Sequence, residues 1–257
     1  MATRYAAIYH DAGSGEFSRA ALLAALAQHM PVRRIYATEL VASDAWHAST
    51  ALLAFPGGAD RPYCKALNGP GNASVLRYVE RGGKVLGVCA GAYYISRRIV
   101  FESGSAGAIE EPRELALFEG TARGSLHDLA APYSLDHLRC AALAALRTPT
   151  GDRSYHALYW GGPEFVPDPG AQYEPLLFYD TPSAPPRVAA LRTSIGQGRA
   201  VLCGVHAEVT GDQFPIEVSR FGDDSFEHGM RLSAALRARE AERRELFELV
   251  LRAVDIH

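Results

Sequence analysis

The stretch Lys84-Val85-Leu86-Gly87-Val88-Cys89-Ala90-Gly91-Ala92-Tyr93 constrains the chain more than any other. A short apolar run ends in Gly-x-Cys-x-Gly and passes into a helix-like segment. It reads as a strand, a tight turn and a helix, with Cys89 at the apex. A side chain presented at so sharp a turn leaves no room for bulky neighbours, and the small residues around it meet that demand. The helix start offers unpaired N–H groups and a partial positive charge, which favour a thiolate over a thiol. Cys89 is then either an activated nucleophile or a buried structural cysteine beside a glycine-rich turn. This stretch alone leaves both readings open.

The flanking sequence has the alternation expected of a parallel sheet covered on both faces. Strands are predicted over residues 4–9, 32–37, 49–55 and the run into Cys89. Helices are predicted over 16–29 and 73–81, with apolar residues at helical spacing in the first and Gly82-Gly83 stopping the second. A Pro/Gly/Asn-rich loop is predicted over 61–72. In such sheets ligands gather at the carboxyl ends of the strands. The Asp11–Gly15 loop, Pro56-Gly57-Gly58-Ala59-Asp60 and the Cys89 turn therefore share one rim. Gly13-x-Gly15 offers an anion cradle or is simply a glycine-rich turn. It lacks the third glycine of a dinucleotide fingerprint and the Lys-Ser/Thr of a P-loop.

Residues 101–185 are less regular and are expected to form a β-rich insertion or cap. Elements are predicted at 115–123, 155–160 and 176–179, with a helix near 136–146. A hairpin is predicted over 187–205, around Ile195-Gly196-Gln197-Gly198. A last helix is predicted over 224–254, its Arg/Glu run forming a solvated face with i,i+4 pairing. With no repeat and no low-complexity linker, residues 1–257 are read as a single domain.

The formal net charge of −3 gives no reason to expect nucleic acid as a partner. No apolar stretch is long enough to span a bilayer, and Met1-Ala2-Thr3-Arg4-Tyr5 lacks the apolar core of a signal peptide. The four scattered cysteines (Cys64, Cys89, Cys140, Cys203) form no close-spaced metal pairs and no disulfide framework. A reduced, cytoplasmic setting is expected, with no metal and no cofactor. Cys64, Cys140 and Cys203 are read as small core or surface residues.

The hairpin's last strand runs into Gly204-Val205-His206-Ala207-Glu208. A histidine and a glutamate two apart on extended chain point the same way. The glutamate can then hold the imidazole in one tautomer and stabilise its charged form. That pair supplies the general base a Cys89 nucleophile needs; alone, it is equally a surface pair at a strand end.

In this order and context the motifs resemble the class I glutamine amidotransferase-like superfamily, with its Gly-x-Cys-x-Gly elbow and late His-x-Glu. More closely, the chain resembles the N-terminal domain of biotin–protein ligases and its free-standing bacterial relatives. That match rests on Phe55-Pro56-Gly57-Gly58-Ala59-Asp60, Gly87-Val88-Cys89-Ala90-Gly91-Ala92-Tyr93-Tyr94, Arg113-Glu114-Leu115, Phe118-Glu119-Gly120-Thr121-Ala122-Arg123-Gly124 and Tyr159-Trp160-Gly161-Gly162, and spans most of the chain from Tyr5 to about Glu208.

The resemblance implies a flavodoxin-like α/β fold, a triad of Cys89, His206 and Glu208, and an oxyanion hole from backbone N–H groups near Gly58 and Ala90. Two positions depart from the amidotransferases. Tyr93 stands where a glutamine that helps hold substrate often follows the elbow, which argues against glutamine as substrate. Ala207 replaces the proline usual between the histidine and the glutamate. No Gly-Arg-Gly-rich biotinyl-adenylate loop is present, so biotin ligase activity is not expected.

The expected function is a cysteine hydrolase or amidase acting on a small amide or ester-like molecule. Gly57, Tyr93, Asp11 and Gly13 are expected at the substrate. Trp160 and Gly161 either close the pocket or belong to the core. Arg123 either meets a substrate carboxylate or sits in a surface salt bridge. The alternative is a non-catalytic ligand-binding or regulatory domain on the same fold. A redox or glyoxalase-like cysteine site is disfavoured by the His-x-Glu pair, which serves proton transfer. Neither substrate nor oligomeric state is readable from the sequence.

Overall fold

The computed structural model describes residues 4–256. Met1-Ala2-Thr3, which precede the first strand, and His257 lie outside them. The first half alternates as expected: β1 (Tyr5–Tyr9), α1 (Glu16–Leu26), β2 (Val32–Ile35), α2 (Ala37–Ala42), β3 (Thr50–Phe55), α3 (Asp60–Leu67), α4 (Pro70–Glu80), β4 (Lys84–Val88) and α5 (Ala90–Ile95). A run of strands follows: β5 (Ser96–Phe101), β6 (Ile109–Pro112), β7 (Phe118–Gly124), β8 (Ala141–Arg147), β9 (Ser154–Trp160), β10 (Glu164–Pro167), β11 (Glu174–Tyr179), β12 (Val188–Ile195) and β13 (Gly198–Cys203). The chain then closes with α6 (Phe214–Val218), α7 (Asp223–Arg237) and α8 (Glu240–Ala253).

The sheet runs β2-β1-β3-β4-β13-β12-β10-β7-β5-β6. Its first five strands are parallel, and β12 turns back antiparallel to β13 across the predicted hairpin. Successive strand residues point to opposite faces, and each face is buried under helices. Ala6, Ile8, Leu52, Ala54, Leu86 and Val88 pack with Leu22 and Leu26 of α1 and with Leu246 and Val250 of α8. Ala7, Tyr9, Leu53, Phe55 and Val85 pack on the other face with Leu67 of α3, Val75 and Val79 of α4, and Ile95 of α5. Each Leu, Ile or Val among them, fully buried, contributes about 1.5–3 kcal/mol. This is the α/β architecture, with helices on both faces, that the alternation predicts. Among the described residues no helix is long and apolar enough to cross a membrane.

Four expectations need correction. The predicted loop over 61–72 is largely helical, formed by α3 and the start of α4. Pro62 and Pro70 fall in first turns, where a missing N–H costs nothing. The helix predicted near 136–146 is a 3₁₀ turn, Leu138–Cys140, followed by β8. There, pairing with β9 along seven residues overrides the helix propensity of an alanine-rich segment. The single helix over 224–254 is two helices, broken around Ala238 and Arg239. Finally, residues 101–185 are β-rich as expected but form no separate cap: β6, β7 and β10 continue the sheet, and β8, β9 and β11 join it beside β12.

Candidate active site

β4 is buried along most of its length and delivers Cys89 to the carboxyl edge of the parallel strands. Cys89 is the N-cap of α5 and adopts φ 49° and ψ −108°. A non-glycine residue at positive φ is strained and persists only where its surroundings hold it. Three hydrogen bonds do so: Cys89 N–H donates to the Cys203 carbonyl (2.9 Å), while the Cys89 carbonyl accepts from the Ala92 and Tyr93 N–H groups (2.9 and 3.0 Å). The glycine after it is equally constrained, since a Cβ at Gly91 would lie 2.1 Å from the Phe55 carbonyl oxygen. The strand–turn–helix elbow is therefore legible in the spacing of small residues.

His206 and Glu208 lie beyond the end of β13, not on a continuous strand. His206 makes an isolated bridge to Leu158 of β9, and its N–H donates to the Leu158 carbonyl at 2.8 Å. Glu208 sits in the following turn. Even so, His206 Nδ1 and Glu208 Oε1 are 2.8 Å apart, and both residues are buried. Cys89 and His206 both flank Gly57 and line the same cavity. Burial works against the charged ring, but the Glu208 carboxylate and the Cys89 sulfur outweigh it and push the His206 pKa up to about 10. The Cys89 sulfur also lies 3.5 Å from the Trp160 carbonyl oxygen.

Two supporting residues escaped the sequence reading. The Ser18 hydroxyl donates to Glu208 Oε1 (3.1 Å) and accepts from the Gly57 N–H (2.8 Å). It thereby ties α1, the Pro56-Gly57-Gly58 turn and the acid together. A serine inside a helical pattern carries no signal of this. Arg243 was read into a solvated charge run, yet it is buried and donates to the Ala207 carbonyl at 2.7 Å, bracing the turn between His206 and Glu208.

Gly57 explains why the turn tolerates no side chain. A Cβ there would lie 2.7 Å from His206 Cε1, 3.1 Å from Ser18 Oγ and 3.4 Å from Cys89 Cβ. Gly57→Ala should leave the protein folded but push the imidazole off line. If His206 serves Cys89 as a base, that displacement should cost about 10²-fold in turnover. Circular dichroism and steady-state rates on the pair of proteins check it.

A cavity of about 720 Å³ opens over Cys89 and is lined by Gly13, Gly57, Gly58, Ala90, Tyr93, Trp160, Gly161 and His206 among others. The Gly58 and Ala90 N–H groups make no hydrogen bond among the described residues. The Tyr93 hydroxyl donates to the Gly161 carbonyl at 3.1 Å, and the Trp160 ring packs against Phe17, Phe214 and Phe221. Glu208 sits behind His206 and does not line the cavity.

Two residues expected at the substrate are placed elsewhere. Asp11 accepts from the Ala12 and Ala37 N–H groups and organises its own loop and the start of α2. Arg123 pairs with Glu164 at 2.6 Å on the neighbouring strand and does not reach the cavity. The Gly13–Gly15 segment is no open anion cradle either. The Gly15 N–H donates to the Gly57 carbonyl and the Gly13 carbonyl accepts from Ala59, both at 2.8 Å. No cluster of three or more metal-ligating side chains occurs among the described residues.

A family model described as "Biotin-protein ligase, N terminal" matches residues 6–257. Over 187 residues the chain is 33% identical to an uncharacterized protein of Chlamydia muridarum, covering 72% of this chain and 71% of that one. It is 30% identical over 173 residues to the biotin–protein ligase of Schizosaccharomyces pombe, covering 66% of this chain but only 27% of that protein. Among solved structures, a glutamine amidotransferase superposes with a TM-score of 0.55 at 18% identity, covering 89% of this chain and 98% of that one. At that identity the likeness is one of fold.

Proposed function

Because the chain belongs to the biotin–protein ligase N-terminal family, on a glutamine amidotransferase-like fold, we propose that it is a cysteine-dependent hydrolase of a small amide or ester. The observation that carries the proposal is the buried chain Ser18–Glu208–His206 meeting Cys89 at a positive-φ elbow that opens into a cavity.

In the proposed cycle His206 already holds the proton given up by Cys89 when the sulfur attacks the substrate carbonyl carbon. The Gly58 and Ala90 N–H groups face the developing oxyanion. One such donor is typically worth about 3–4 kcal/mol of transition-state stabilisation. The imidazolium returns the proton to the departing amine or alcohol as the C–N or C–O bond breaks, leaving a thioester on Cys89. Water, deprotonated by His206, then releases the acid. Glu208 keeps the ring in one tautomer throughout. The reactants are small molecules; the proposal needs neither nucleic acid nor membrane.

The test is acylation of the whole chain with p-nitrophenyl acetate, quenched in acid and mapped by peptide mass spectrometry. An acetyl group on Cys89 alone, absent from Cys89→Ala and turning over on longer incubation, is the expected result. Acetylation spread over several nucleophiles, with p-nitrophenol release unchanged in Cys89→Ala, would overturn the assignment in favour of a ligand-binding role.

A further inference from the structure

The cavity has one wall without charge and one whose only cation besides His206, among the described lining residues, is already held by carboxylates. On the first side, Ile99 and Phe101 lie two apart on β5, and Ile109 of β6 pairs directly opposite Phe101. The Phe101 ring meets Tyr93 edge-on at 5.7 Å and Tyr133 at 5.5 Å. The Tyr133 N–H donates to Glu102 Oε1 at 2.9 Å, which fixes this part of the chain over the cavity. The charged side chains in the lining, other than His206, all have opposite partners within the protein. Asp60 pairs with buried Arg113 at 2.6 Å. Arg220 lies between Glu16 (3.2 Å) and Glu217 (3.3 Å) at the other side of the cavity.

A free amino acid brings an ammonium and a carboxylate. The carboxylate would lose hydration here and, His206 aside, meet no free cation in the lining, because Arg220 is already held by two carboxylates. An apolar acyl chain loses nothing and covers Ile99, Phe101 and Ile109. Resting on the hydrolase function proposed above, we infer that the substrate is an amide or ester with an uncharged, apolar acyl group of several carbons, seated on the β5–β6 wall. Its carbonyl carbon bonds to the Cys89 sulfur as the leaving amine or alcohol departs with the proton.

The experiment uses p-nitroanilides of acetic, butanoic and hexanoic acid beside L-γ-glutamyl-p-nitroanilide, all with one leaving group. kcat/KM should rise about 3–4-fold per methylene. The γ-glutamyl compound should fall at least 100-fold below the hexanoyl one. Phe101→Ala, and independently Ile109→Ala, should lower the hexanoyl-to-acetyl ratio. A flat chain-length profile with turnover intact, or preference for the γ-glutamyl compound, overturns the acyl assignment and leaves the hydrolase standing. Calorimetric binding of N-methyl acetamide, butanamide and hexanamide to Cys89→Ala separates the two claims. If the wild type forms no thioester with any probe, the hydrolase proposal falls. Amide affinity rising with chain length then still supports the apolar acyl site, and flat affinity overturns it.

Discussion

Replacing His206 with alanine should slow alkylation of Cys89 by iodoacetamide at neutral pH by about 10²-fold or more, and should remove turnover by 10²–10⁴-fold. The imidazole is held by Glu208 at 2.8 Å and lies with Cys89 against Gly57 in the cavity wall, so deleting the ring removes the base proposed for the thiol. Internal standards are present in the same protein. Burial pushes the Cys64 thiol up to about 11 and the Cys203 thiol up to about 12. At neutral pH such thiols are ionised on the order of one part in 10⁴ or less, and both should stay unmodified in the native state. The measurement is residue-resolved mass spectrometry on wild type, His206→Ala and His206→Asn; the asparagine fills part of the space and guards against simple collapse. Cys89 reacting no faster than Cys64 in the wild type, or equally fast in all three proteins, would remove His206 from the nucleophile's chemistry.

Much of this arrangement could be read before any coordinates, and the reason is local. The Gly-x-Cys-x-Gly elbow is written in small residues because backbone oxygens come within 3 Å of where side chains would project, as at Gly91. Inside the edge strand β2, whose sequence is Val-Arg-Arg-Ile, the parallel strands β1, β3 and β4 are largely apolar runs, and each run became one strand. What stayed hidden depends on contacts between residues far apart in sequence. Ser18 reaches Glu208 across 190 positions, and Arg243 braces Ala207 across 36. Neither partner alters the local pattern around the other. Arg123 stayed open between two readings for a related reason: a lone basic residue in a family motif carries no mark of its partner, and the salt bridge to Glu164 of the adjacent strand is the one formed. The alanine-rich segment of β8 failed because propensity is a weak prior where a seven-residue cross-strand register is available.

The second large effect is on stability, and its sign follows from the buried acid. Glu208 Oε1 accepts from Ser18 and His206, while its Oε2 is buried with no partner among the described residues. A buried carboxylate so poorly compensated is strongly destabilising unless the imidazole beside it is charged. That is why the His206 pKa rises from 6.5 to about 10 although burial opposes it. A histidine whose folded pKa lies above its unfolded value contributes stability in full below the unfolded value and loses it as pH climbs through the folded one. Wild-type stability should therefore fall between about pH 6.5 and pH 10. At about 1.4 kcal/mol per unit the loss is on the order of 3–5 kcal/mol. Glu208→Gln removes the carboxylate's part of that rise and leaves burial opposed by the Cys89 sulfur alone. The ring's pKa then falls back toward its unfolded value, and the loss of stability between about pH 6.5 and pH 10 should shrink accordingly. Urea melts at half-unit pH steps on the two proteins isolate this from the other titrating groups they share. Parallel curves across the whole range would mean that His206 and Glu208 are not an ion pair, and would remove the acid from the proposed triad.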